Sequence, residues 1–161
     1  MPDNRIMTFF SARVLSACLV TLMLSWMNAA MAASEDVDAL VAACVAGDYK
    51  KAQSLLTQGV DVNAMNSGGV TALMEAALGG HREVAELLLA HKADANAMNT
   101  DGATALMAAV MNGHREVVEL LLAKGADVNV KSASGISALG LATHQGHKEV
   151  AELLKQSGAE E

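Results

Sequence analysis

The sequence predicts an all-α fold in which four similar units stack into one array. Three landmarks recur with a spacing of 33 residues and without insertion. The first is a Thr/Ser-Ala-Leu segment that begins at Thr71, Thr104 and Ser137. The second is a Gly-His pair that begins at Gly80, Gly113 and Gly146, and the third is an Asp-x-Asn segment that begins at Asp61, Asp94 and Asp127. Repetition at this period indicates stacked units that share one hydrophobic core. Aromatic residues make up only 2% of the chain, so this core must consist of Leu, Ala, Val and Met, which suits small helices in layers.

Each unit is predicted to contain two helices. Apolar residues of the second helices recur at spacings of one, three and four, and this spacing gives one broad buried face. The predicted first helices are about residues 39–46, 72–79 and 105–112, and the predicted second helices are about residues 49–58, 82–91 and 115–124. In the first unit, Asp38 takes the place of Thr71 and is predicted to cap the first helix.

The first and last units carry polar residues where the inner units are apolar. Ser54 replaces the first leucine of the Leu-Leu-Leu segment, and Lys155 stands where Leu89 and Leu122 stand. A polar outer face is typical of the capping repeats that end an array. Four repeats are therefore expected to form the whole array.

A leader is predicted in front of the repeats. A start that carries two arginines is followed by the uncharged segment 14–27 and by Ala30 and Ala32, which are small residues at the two positions that a signal peptidase reads. This pattern predicts a signal peptide over residues 1–32 and a mature chain that is periplasmic or secreted. The alternative is an uncleaved inner-membrane anchor facing the periplasm, because residues 14–33 are 20 uncharged residues, about enough to span a bilayer.

The chain has two cysteines. The segment that ends at Cys18 resembles the lipobox of bacterial lipoproteins, but the chain stays apolar after Cys18, so lipidation is the less favoured alternative. Removal of the leader would leave Cys44 alone, and no internal disulfide could form. Cys44 occupies the repeat position of Ala77, which predicts a buried and unreactive thiol.

The charge of the chain argues against nucleic acid as a partner. The net charge is −7, and removing Asp3, Arg5 and Arg13 from the 18 acidic and 11 basic residues leaves 17 and 9, a net charge of −8. A surface of this sign repels phosphate backbones.

The repeat resembles that of the ankyrin-repeat family. The family pattern is Thr-Pro-Leu-His-x-Ala-Ala, then Gly-His, a leucine-rich second helix and Gly-Ala-Asp-Val-Asn, and the resemblance covers about residues 35–161. It implies an ankyrin-repeat solenoid of helix-turn-helix units with hairpin-like loops. It also implies that the loops and inner helices bind another protein without catalysis. The domain would span residues 33–161, with repeats at about 35–66, 67–99, 100–132 and 133–161.

Several positions depart from the family pattern. Its proline is alanine in all three regular segments, and its histidine is replaced by Met74, Met107 and Gly140, so the family's Thr–His hydrogen bond cannot form. Lys92 stands where the other repeats have glycine, which costs about 1 kcal/mol if the backbone there is left-handed. Glu75 takes a position that is apolar in the family. It either favours the positive end of its helix or makes a specific contact on the inner face.

The predicted partner-binding surface is an apolar strip along the loops and inner helices. Met65 and Met98 repeat at loop positions, where an exposed methionine suits an adaptable interface. Met74 and Met107 are instead expected to fill the core. The complete predicted surface consists of Met65, Val70, Leu78, Met98, Asp101, Ala103, Met111, Ile136 and His144.

The sequence offers little for catalysis or metal binding. His81, His114 and His147 lie one repeat apart, roughly 10 Å on usual helix spacing, which is too far for shared ligation. His144 and His147 are close in sequence but only two, whereas zinc needs three or four ligands. No enzyme activity, metal or cofactor is expected. The predicted function is an exported, monomeric protein-interaction module that meets a membrane only if the leader is uncleaved, and the alternative is a periplasmic metal or redox buffer that uses Met and His.

Overall fold

In the computed structural model, residues 34–160 are described, and they form an all-helical array without strands. The eight helices are α1 (34–45), α2 (Tyr49–Thr57), α3 (Ala72–Leu78), α4 (Arg82–Ala90), α5 (Ala105–Met111), α6 (Arg115–Ala123), α7 (Ala138–Gln145) and α8 (Lys148–Gln156). The predicted all-α repeat array is thus confirmed. The predicted signal peptide at 1–32 lies outside the described residues. Within residues 34–160, no helix is long and apolar enough to cross a bilayer.

The helices form two layers. Helices α3, α5 and α7 pack side by side as the inner layer, and α2, α4, α6 and α8 pack as the outer layer. One leucine on the first helix of each repeat is buried, and so is one on the second helix of the last three repeats, and all of them belong to one core that neighbouring repeats share. These leucines are Leu40, Leu73, Leu106 and Leu139 in the first set and Leu88, Leu121 and Leu154 in the second.

Side-chain caps begin the inner helices α3, α5 and α7. Thr71, Thr104 and Ser137 each accept a hydrogen bond from the backbone N–H three residues later, with oxygen–nitrogen distances of 3.3, 3.4 and 3.1 Å. These bonds satisfy backbone donors that the first turn of a helix leaves unpaired. The two threonines are buried and have no histidine partner. Even so, no buried side-chain oxygen or nitrogen within residues 34–160 lacks a hydrogen-bond partner.

The predicted cap at Asp38 is wrong. Helix α1 is continuous over residues 34–45, so Asp38 lies inside it and is exposed. The residues just before Asp38 include neither glycine nor proline, and nothing in them stops a helix. Thr71, in contrast, follows Gly68-Gly69 and a loop. The other predicted helices end one residue earlier than expected, because the residue predicted to be last is the C-cap.

Histidine side chains join each repeat to the one before it. The Nε2 atoms of His81, His114 and His147 lie 3.1, 3.0 and 3.2 Å from backbone carbonyl oxygens 36 residues earlier, and these carbonyls belong to Val45, Leu78 and Met111. Because a carbonyl only accepts, Nε2 carries the proton. The glycine of the Gly-His pair, or of Gly-Asp in the first repeat, leaves room for the histidine ring of the next repeat: a Cβ on Gly80 would lie 2.5 Å from Nδ1 of His114. The Gly-His landmark therefore connects neighbouring repeats.

Asparagine side chains join the loops in the same way. The side-chain amide nitrogens of Asn63, Asn96 and Asn129 donate to carbonyl oxygens of the next repeat, at 3.2, 3.1 and 3.2 Å. Their side-chain oxygens accept backbone N–H groups of that repeat, at 2.8, 2.7 and 2.9 Å. This pair of bonds explains why Asp-x-Asn recurs in each of the first three repeats, which all have a following repeat to hold.

The loops that lead into the inner helices are hairpin-like, as the resemblance implied. Antiparallel bridges join Met65 to Thr71 and Lys131 to Ser137. In the loop before α3, the backbone N–H of Asn66 donates to the carbonyl of Val70 at 3.0 Å. Each loop therefore folds back on itself just before the N-cap of an inner helix, and it holds the residue before the cap in a fixed place.

Candidate functional site

A groove of about 280 Å³ lies along the inner layer, across the second, third and fourth repeats. Its lining comes from the loops that precede the inner helices and from α3, α5 and α7 themselves. The lining residues are Val70, Met74, Glu75, Leu78, Asn99, Ala103, Thr104, Met107, Ala108, Met111, Ser132, Ile136 and Leu141. Most of these side chains are apolar.

Small side chains in the third repeat create the groove. The loop residue before the cap is Ala103 in this repeat, whereas it is Val70 and Ile136 in the neighbouring repeats. On the inner helix, Ala108 stands between Leu141 and the glutamate of α3 in the same register. Both alanines therefore lack side-chain volume that the flanking repeats have. The groove is the space that results.

The floor of the groove is rigid core. Met74 and Met107 are only 5% and 2% exposed, so the prediction that they fill the core is confirmed. Both methionines line the groove from its buried side. Because the floor is part of the packed array, the groove exists before any partner binds.

The walls of the groove are apolar and open to solvent. Met111 and Ile136 are 45% and 44% exposed, and Leu78 is half-buried beside them. Large apolar side chains that stay exposed around a cavity indicate a binding surface more than a core.

Glu75 is the charged residue of the groove lining. It belongs to the first turn of α3, is half-buried, and has neither an ion pair nor a hydrogen bond to its side chain within residues 34–160. The ion pairs of this part of the chain are those of Arg115 with Glu119 and Glu149 on the outer layer, at 2.9 and 3.3 Å. Glu75 therefore lines the groove without a counter-ion from residues 34–160.

The thiol of Cys44 is buried and lies close enough to Glu75 to feel its charge. Burial, and to a smaller extent the negative charge of Glu75, raise the pKa of Cys44 to about 12. The thiol therefore stays protonated at neutral pH, and it lacks the thiolate that a nucleophile or metal ligand needs. The prediction of a buried thiol is confirmed.

The structure brings together five of the nine predicted surface residues. Val70, Leu78, Ala103, Met111 and Ile136 line the groove. The exposed loop residues Met65, Met98 and Asp101 do not, and His144 lines a neighbouring hollow instead. A binding role for all nine remains a prediction.

Sequence reasoning missed Ala108 and Leu141, and it left the role of Glu75 open. A comparison of side-chain size at one register position across the repeats would have found them. The series Glu75, Ala108, Leu141 shows a gap in the middle repeat that no single repeat reveals.

The neighbouring hollow of about 540 Å³ lies on α7. It forms where Gly140 stands in the register of Met74 and Met107, so the side chain that fills this place in the other repeats is missing. Ile136 and Leu141 line both the hollow and the groove. The two together extend the apolar surface toward His144 and Lys131.

The arrangement supports non-covalent binding more than chemistry. Within residues 34–160, no three His, Cys, Asp or Glu side chains come together to hold a metal ion. The ring Nε2 atoms of the three repeated histidines are engaged by backbone carbonyls. The alternative function as a metal or redox buffer stays a prediction that none of these contacts favours.

Comparison with known families matches nearly the whole chain. A family model described as ankyrin repeats (3 copies) matches residues 15–99, 39–132 and 91–161. No curated protein matched the chain in a sequence comparison.

Proposed function

The chain belongs to the ankyrin-repeat family, and from this premise we propose that it binds a partner protein through the groove of its inner layer. Repeats of this family generally mediate protein–protein interaction. The observation that carries the proposal is a preformed apolar groove, in which Ala103 and Ala108 leave space between the exposed side chains of Met111 and Ile136.

The mechanism is insertion of partner side chains into a rigid surface. The histidine and asparagine contacts hold each repeat against the next, so the groove loses little conformational freedom when a partner binds. Each square ångström of apolar surface that is removed from water contributes roughly 25 cal/mol. A partner that fills the groove gains this contribution with little ordering cost on the side of the repeats.

We propose that binding takes place outside the cytoplasm. The support is the order of residues in the leader: arginines, an uncharged segment, and Ala30 and Ala32 before the first repeat. The partner is then a periplasmic or secreted protein. The repeat protein itself acts as a monomer that binds without catalysis.

The replacement Ala108→Leu tests the groove. Leucine at this register position is accepted in the next repeat, as Leu141, so the helix should fold normally while the side chain fills the groove. The tagged variant is expected to lose a partner that the wild-type protein captures from a periplasmic extract. Its melting temperature should be unchanged.

The matched control is Ala123→Leu, which adds the same side chain at an exposed position on the outer layer. This control should capture the partner as the wild type does. Equal capture by Ala108→Leu would show that the partner binds elsewhere on the array.

A further inference from the structure

Resting on the proposed function, we infer that the partner segment carries a Lys or Arg side chain next to a large aliphatic side chain. The aliphatic side chain occupies the space over Ala103 and Ala108. The cation pairs with Glu75. The juxtaposition of an unpaired carboxylate and an empty apolar space in one groove carries this inference.

The fold itself does not require a carboxylate at this position. In the same register, α5 has Ala108 and α7 has Leu141, and both helices form. Helix α5 has no acidic residue in its first turn, so the helix dipole does not demand one in α3. The carboxylate of Glu75 is therefore not needed for folding, and its role lies in binding at the groove.

Binding makes the charge of Glu75 costly unless it is paired. A partner that covers the groove removes water from the half-buried carboxylate, and an anion without water or a counter-ion is unfavourable. Within residues 34–160, no cation of this chain supplies the pair. A Lys or Arg of the partner supplies this counter-ion, whereas a neutral segment would leave the carboxylate of Glu75 buried and unpaired.

The neighbourhood of Glu75 suits a long cationic side chain. Glu75 and Leu78 are three residues apart on α3 and therefore share one face of the helix. The methylene groups of Lys or Arg can lie along Leu78 while the charged end reaches the carboxylate. The excess of 17 acidic over 9 basic residues in positions 33–161 also attracts a cationic segment.

Peptide selection tests the inference. The full chain, immobilised through a C-terminal tag, is used to select from a random peptide library displayed on phage, in parallel with Glu75→Gln, Glu86→Gln and Ala108→Leu. Glutamine keeps the size of glutamate, and Glu86 is exposed on the outer helix α4, so Glu86→Gln is the matched control.

The wild-type protein and Glu86→Gln are expected to enrich peptides that combine aliphatic residues with Lys or Arg. Glu75→Gln should retain the aliphatic preference and lose the cationic one. A synthetic peptide from the wild-type selection should bind Glu75→Gln at least about ten-fold more weakly, because a close charge pair is lost. Its affinity for wild type should fall with added salt more steeply than its affinity for Glu75→Gln.

The outcomes separate the inference from the proposed function. Aliphatic peptides without Lys or Arg, or equal affinity for wild type and Glu75→Gln, overturn the inference and leave the groove as a binding site. Selection that yields no peptides, or peptides that Ala108→Leu binds equally well, overturns the proposed function and the inference together.

Discussion

At the scale of single residues, Lys92 shows how a local cost persists in an otherwise regular array. Its φ of 67° lies in the left-handed region, where Gly59, Gly125 and Gly158 stand in the other repeats with φ of 91°, 86° and 90°. A side chain on such a backbone is strained because its Cβ crowds the following carbonyl. The backbone carbonyl of Lys92 also accepts the amide of Asn63, so the turn cannot relax without breaking a contact between repeats.

The replacement Lys92→Gly is expected to raise the free energy of unfolding by about 1 kcal/mol, because glycine removes this strain. Urea denaturation of both proteins measures the difference, and the melting temperature should rise with it. The matched control is Gly125→Ala, which should lower stability by a similar amount. Its added Cβ meets no atom within 4 Å, so backbone strain alone acts. Unchanged stability of Lys92→Gly would mean that contacts of the lysine side chain offset the strain.

Several residue-level features could be read from the sequence because the repeats supply their own reference. The register of Cys44 with Ala77 predicts a buried thiol, and the register of Lys92 with glycines indicates a left-handed turn. The same comparison of register wrongly predicted that Asp38 caps the first helix. Within the described chain, no earlier repeat and no glycine-containing loop precede Asp38. Asp38 therefore shares the repeat position of Thr71 but does not begin a helix.

At the scale of elements, the composition of α7 gives it a lower intrinsic helix propensity than α3 or α5 has. It contains Gly140, whose backbone is helical and whose added Cβ would meet only the Oγ of Ser137, at 3.4 Å. Glycine inside a helix costs stability because it loses more backbone freedom on folding than alanine does. The same glycine opens the hollow beside the groove.

The replacement Gly140→Ala is expected to stabilise the protein by about 0.5–1 kcal/mol through this backbone effect. Thermal or urea unfolding measures it. Gly146→Ala is the control within the same segment: Gly146 has a φ of 78° at the C-cap of α7, so alanine there should destabilise. A loss of stability in Gly140→Ala would show that the contact with Ser137 disturbs the cap.

At the scale of the whole molecule, the residues that recur in every repeat determine the array, and the positions at which one repeat differs from its neighbours determine the groove. The landmarks spaced by 33 residues predicted two helices per repeat, and their contacts between repeats account for the stacking. The groove was only partly predicted, because it arises from side-chain volume that is missing in one repeat relative to its neighbours. Such a difference is visible only once the repeats lie side by side.

Export is the prediction that concerns the whole chain. The protein recovered from the periplasm of its host should have the mass of residues 33–161, because a signal peptidase cuts after small residues such as Ala30 and Ala32. Intact-mass measurement of the periplasmic and membrane fractions checks this. A chain of full mass in the membrane would favour the anchored alternative, and a lipid-modified Cys18 would favour lipidation.

The residues that hold the repeats together differ from those that shape the groove, and this bears on the history of the gene. Histidine and asparagine codons in the landmarks are constrained, because each serves two adjacent repeats. The codon of Ala108 is not under that constraint, and one base change converts an alanine codon to one for valine, threonine or an acidic residue. Descendants of this sequence can therefore acquire new ligand preferences by single mutations while inheriting the same scaffold.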